Sequence, residues 1–136
     1  MTGDLGDFAR KYFAAYENRD RAFVENGLAD GFTFTSPYDD HIGRETYFER
    51  CWPNSNTIAK FHFDAVAVSG NSVLVLYQCE TKSGSTFRNT ECLTFENGKL
   101  KSVEVFFGDP PGGVGKEEYG AFLEVAKVAW KDRAQA

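Results

Sequence analysis

Four β-rich stretches, residues 57–68, 73–82, 85–96 and 99–107, follow one another with only Ser69-Gly70-Asn71, Ser83-Gly84 and Asn97-Gly98 between them. Asn-Gly between alternating apolar residues is the strongest short hairpin signal, because a two-residue turn of this kind needs positive φ at both central positions. Connections this short leave no room for a crossover, so neighbouring stretches must pair antiparallel as a meander. At 9 to 12 residues each stretch exceeds the usual length of about five or six, and strands that long twist and coil. In Ala59-Lys60-Phe61-His62-Phe63-Asp64-Ala65-Val66-Ala67-Val68 the alternation weakens towards the end, which predicts a bulge or a stretch covered on both faces.

The amino-terminal half has the other period. Leu5, Phe8, Tyr12, Phe13 and Tyr16 recur at three- and four-residue steps behind Asp4, a good N-cap, so residues 4–18 read as an amphipathic helix with an aromatic face. Asp20 can cap a short second helix carrying Phe23, Val24 and Leu28, and Asp30-Gly31 turns the chain. Phe32-Thr33-Phe34-Thr35-Ser36 alternates as a short strand stopped by Pro37, and a loop is expected after it. A third helix is expected from Arg44 to Trp52, with Phe48, Cys51 and Trp52 on one face and Pro53 ending it. Gly108-Asp109-Pro110-Pro111-Gly112-Gly113-Val114-Gly115 breaks regular structure before a last helix at 116–132, whose stripe is Tyr119, Phe122, Leu123, Ala126 and Trp130. Runs of helices followed by runs of strands define an α+β domain, and 136 residues suffice for one domain.

Composition narrows the partners. A net charge of -5 and a pI near 5.0 supply no basic stripe, so nucleic acid is not expected, and no apolar run is long enough to span a membrane. The acidic amino terminus, Met1 to Asp7, has no secretory or transit pattern, which makes the cytoplasm the expected location. Cys51, Cys79 and Cys92 lack metal or disulfide spacing, and His41 and His62 are isolated, so neither a metal nor a cofactor is expected. Thirteen Phe, six Tyr and two Trp are more than a tight core of this size needs; aromatic walls of that kind line small-molecule pockets and dimer faces, although a Phe-rich core accounts for them equally.

With Lys11-Tyr12-Phe13-Ala14-Ala15-Tyr16-Glu17-Asn18-Arg19-Asp20 on the first helix and Val103-Glu104-Val105-Phe106-Phe107-Gly108 on the last strand, the order of elements resembles the nuclear transport factor two-like superfamily over about residues 4–108. That superfamily includes ketosteroid isomerases, limonene epoxide hydrolases and SnoaL-like polyketide cyclases. The resemblance implies a cone: a strongly curved antiparallel sheet wrapped around the amino-terminal helices, as in the cystatin-like or SnoaL-like roll, with the helix at 116–132 as an extra cap. It also implies an apolar cavity and a homodimer through the outer sheet face.

In the isomerase pattern a helix tyrosine and a strand acid donate hydrogen bonds to a developing oxyanion, while a second acid after the first strand moves the proton. Tyr12 matches the tyrosine and Glu91 the strand acid, but Ser36, before Pro37, stands where the base is expected. A serine hydroxyl cannot be a general base near neutral pH. Asp40 or His41, with Asp39 in the same run, would have to take that role, unless the run is only a solvated loop. The expected cavity wall is Tyr16, Phe34, Ser36, Trp52, Val105 and Phe107. A turn centred on Ser83-Gly84 pairs residues summing to about 167, which sets Leu76 opposite Glu91 and leaves Arg88 on the other face. Two readings follow: a pocket that binds and converts a small hydrophobic molecule of polyketide, steroid or terpenoid type by acid/base chemistry, or a non-catalytic dimeric module for ligand binding or protein association. Epoxide hydrolysis ranks behind both, since Arg88 alone does not make an Asp-Arg-Asp site.

Overall fold

A computed structural model describes residues 4–113 together with 115, 117, 120, 121 and 124–128. Helix α1 spans Leu5–Asn18, α2 Arg21–Gly27 and α3 Arg44–Arg50, and the strands are β1 Leu28–Ser36, β2 Asp39–Gly43, β3 Ile58–Ser69, β4 Ser72–Thr81, β5 Thr86–Glu96 and β6 Lys99–Gly108. The caps are those expected from the sequence: the Asp4 side chain accepts from the Asp7 N–H and the Asp20 side chain from the Phe23 N–H, each relieving one orphan donor of a first turn. α1 ends where Arg19 enters the left-handed region at φ 56 and returns its N–H to Ala15 and Tyr16.

The six strands form one sheet in the order β2-β1-β6-β5-β4-β3. β3 to β6 make the expected antiparallel meander, but β1 lies parallel to β6, through Phe34 opposite Val103 and Thr35 opposite Glu104, so the sheet is mixed rather than antiparallel. Turn chemistry dictates only how sequence neighbours pair; this contact joins segments some seventy residues apart and leaves no local mark. Nor is the strong curl of a cone found among the described residues. Register shifts interrupt β3 after Ile58 and after Phe63 and the β5–β6 pairing after Thr94, whereas β4 and β5 pair without a break. The shift at Asp64 is the bulge the weakened alternation predicts, and it keeps Phe61 and Phe63 on one side and Val66 and Val68 on that same side beyond it.

Three boundaries differ from the sequence reading. β1 begins at Leu28, which leaves α2, and the expected loop after Pro37 contains β2. The third helix stops at Arg50, and Trp52–Asn56 is a separate 3-10 turn with Pro53 in its first turn. The helix expected at 116–132 lies partly outside the described residues, as do Tyr119, Phe122, Leu123 and Trp130.

One face of the sheet packs on α1 and α3. Phe13 meets Phe61, Phe63 and Tyr77 edge-on with ring centroids 4.8 to 5.4 Å apart, and Phe8 does the same to Phe95 at 5.1 Å. Glu17 ties α1 to the start of β3 by accepting the Phe61 N–H at 2.7 Å. No helix of the described residues is long and apolar enough to cross a membrane.

Candidate active site

A cavity of about 610 Å³ opens between the inner sheet face, α1 and the segment from α3 into the 3-10 turn. Strand alternation selects its wall. On β5 the inward residues are Phe87, Asn89, Glu91, Leu93 and Phe95; the register sets Asn89 between Tyr77 and Phe107, and Glu91 between Val75 and Val105. The pairing of β4 with β5 is one residue off the expected one, because the turn runs from Thr81, whose N–H bonds the Ser85 carbonyl, rather than being centred on Ser83-Gly84. Arg88 faces away, as expected, and donates to the Asp109 carbonyl.

Glu91 is the chemically distinctive group. It is 7% exposed, lines the cavity, and accepts a hydrogen bond at Oε2 from the Tyr77 hydroxyl at 2.5 Å. Burial raises its carboxyl from 4.5 to about 7, with the Tyr77 bond pulling the other way. It therefore exchanges a proton near neutrality, which suits acid or base work.

Tyr12 and Tyr16, one turn apart on α1, both reach the hydroxyl of Tyr47 on α3. Burial, before any neighbour, raises all three phenols well above their ordinary range, so they stay protonated donors. Tyr12 and Glu91 share the cavity without bonding each other: Tyr12 bonds Tyr47, and the phenol on Glu91 is Tyr77.

At the mouth, the acid that reaches the cavity from the Asp-Asp-His run is Asp39, not Asp40 or His41. Period two along β2 sends residue 40 to the opposite side from 39, and His41 sits at φ 51, its N–H tied to Thr35 Oγ1. Asp40 and His41 bond each other in solvent, with side chains 94% and 71% exposed. Ser36, far from leaving a gap, holds Asp39: its hydroxyl donates to Oδ2 at 2.9 Å while Arg50 Nε donates to Oδ1 at 2.5 Å. Beside them the rings of Phe107 and Tyr38 meet at a tilt, centroids 5.6 Å apart, and are 52% and 78% exposed.

Phe34, Ser36, Tyr16, Val105 and Phe107 line the cavity. Trp52 does not; it is buried behind the wall, edge-on to Tyr16 at 4.8 Å, because the 3-10 turn rotates it off the face it would take in a continued helix. Tyr47, Tyr77, Asn89 and Arg50 were not singled out in the sequence. Tyr47 is four residues before Cys51 and Asn89 two before Glu91, so helical and strand periods carry signals for both; Tyr77 and Arg50 needed the true register and the fold.

A model of the SnoaL-like domain matches residues 9–103. The chain belongs to the SnoaL-like family. Solved structures similar to this SnoaL-like chain include a protein from Kribbella flavida (20% identity, 87% of this chain and 95% of that one covered, TM-score 0.69) and an NTF2-like protein of unknown function from Cytophaga hutchinsonii (22%, 82% and 97%, 0.64). Another is a candidate ketosteroid isomerase from Kribbella flavida (18%, 76% and 77%, 0.63). At these identities the likeness carries the fold and not the reaction. No curated protein matches.

Proposed function

We propose that this SnoaL-like chain binds a small hydrophobic molecule of polyketide, steroid or terpenoid type and moves a proton on it by acid/base chemistry. The observation that carries the reading is Glu91: a carboxyl in an aromatic cavity wall whose proton is exchangeable near pH 7. Proton transfer at a carbon next to a carbonyl needs a group of this kind, and the aromatic rings around it exclude water and hold a ring body. Asp39, which lines the cavity with Glu91 and Asp109 and is fixed by Ser36 and Arg50, replaces Asp40 and His41 in the proposed mechanism.

The test is proton exchange in deuterated buffer with a panel of cyclic polyketide, steroid and terpenoid ketones, followed by NMR. Wild type is expected to accelerate loss of the protons next to the carbonyl for at least one member, and Glu91→Gln to abolish that acceleration. Saturable binding without exchange across the panel would overturn the catalytic reading and leave a ligand-binding module.

The chain is also proposed to form a homodimer through the outer sheet face. Support comes from exposed Leu76 and Phe106, which flank Thr90 in one row across β4, β5 and β6, with exposed Leu74 in the next row. Sedimentation of Leu76→Glu and Phe106→Glu is expected to give a monomer where wild type gives a dimer; a monomeric wild type refutes it.

A further inference from the structure

The hydrogen bonds behind Glu91 run in one direction, from the end of β6 through β5 and β4. The Gly108 N–H points at the Asn89 side-chain oxygen, 3.4 Å away. A backbone N–H can only donate, so the Asn89 amide must turn Oδ1 to Gly108 and Nδ2 to the other side. There Nδ2 donates to the Tyr77 hydroxyl at 3.0 Å. The Tyr77 hydrogen is thus left for Glu91, whose Oε2 accepts it. Glu91 Oε1 has no partner among the described residues, and it is not walled off, since the one orphaned buried side-chain nitrogen or oxygen among them is Ser55 Oγ.

We propose that Gly108, Asn89 and Tyr77 form a one-way donor chain that fixes Glu91 Oε2 as an acceptor and so places the acid's proton on Oε1, facing the cavity. Asn89 and Tyr77 are positioning residues acting through Glu91. Resting on the acid/base reading above, the consequence for the ligand is specific: against neutral Glu91 it presents a hydrogen-bond acceptor, such as a carbonyl oxygen, rather than a donor.

Gly108 is fitted to its place in the chain. A Cβ there would lie 2.7 Å from the Arg88 carbonyl oxygen, so only glycine lets the end of β6 come close enough for its N–H to meet Asn89. The first residue of the Gly/Pro-rich segment is thereby part of the wall. The other groups around the acid are Tyr12 and Tyr16 on α1, Cys51 beyond α3, Cys79 on β4, Asp39 with Arg50 at the mouth, and Asp109 after β6; among the described residues Tyr77 alone bonds it.

The chain is read directly by ¹³C NMR titration of the Glu91 carboxyl in the full-length protein labelled at glutamate, with Glu91→Gln to assign the signal and no ligand needed. A hydrogen bond favours the carboxylate over the neutral acid, so Tyr77→Phe is expected to raise the midpoint by about one pH unit. Asn89→Leu is expected to raise it by less, and to add nothing in a Tyr77→Phe background, because the links act in series. A merely structural role for these residues would alter melting without moving the midpoint. An unchanged or lowered midpoint in Tyr77→Phe, or equal effects of Asn89→Leu in both backgrounds, overturns the proposal. Should Tyr77→Phe not fold, Asn89→Leu alone decides by the same criterion. Failure here leaves the ketone-exchange result standing, and failure there leaves this titration standing.

Discussion

Replacing Glu91 by glutamine should make the protein more stable at alkaline pH and leave it nearly unchanged in acid. In the unfolded chain this carboxyl ionises near 4.5, but in the fold burial holds it to about 7. Between those values the native state keeps a proton that the unfolded state has released, so stability falls as pH rises. The difference of about 2.5 in pKa, at about 1.4 kcal/mol each, is a loss of roughly 3 kcal/mol by pH 8. Glutamine is nearly isosteric, keeps an oxygen to accept from Tyr77, and cannot ionise, so Glu91→Gln escapes that loss. For a chain of this size about 3 kcal/mol is on the order of 10 °C in Tm. Thermal melts of both proteins from pH 4 to pH 8.5 are the assay: the curves should come together near pH 4, separate between the unfolded value of 4.5 and the folded value of about 7, and keep a constant gap above that. A gap independent of pH, or a wild type that is the more stable protein above pH 7, would refute the reasoning.

Phe13→Ala empties the centre of the ring cluster between α1 and the sheet and should cost about 3 to 5 kcal/mol in denaturant unfolding. Tyr47→Phe leaves the buried hydroxyls of Tyr12 and Tyr16 without their shared partner and should cost about 1 to 3 kcal/mol by the same measurement. Asp20→Ala removes the α2 cap and should cost about 1 kcal/mol, read as a small drop in Tm that Asp20→Ser largely restores.

Much of the site is legible in the sequence. The period of α1 put Tyr12 and Tyr16 on one face, and the alternation of β5 put Glu91 with Leu93 and Phe95 on the buried side. What the sequence reading assigned differently was relative placement. Glu91 was expected to work beside Tyr12, yet the phenol that reaches it is Tyr77, because the turn between β4 and β5 shifts the pairing by one residue and a one-residue slip exchanges every neighbour. The base was sought at Asp40 or His41, yet a short β2 where a loop was expected turns Asp39 inward instead.

Local physics decided the helix caps, the Asn97-Gly98 turn, the α+β class and the inward faces of α1 and β5, since each depends on neighbours within a few positions of the chain. The parallel contact of β1 with β6, the absence of a strong curl among the described residues, and the meeting of Tyr47 with Tyr12 and Tyr16 depend on segments about thirty to seventy residues apart. No local propensity encodes such meetings; they are settled by which packing buries the aromatic faces together while satisfying the polar atoms that come with them.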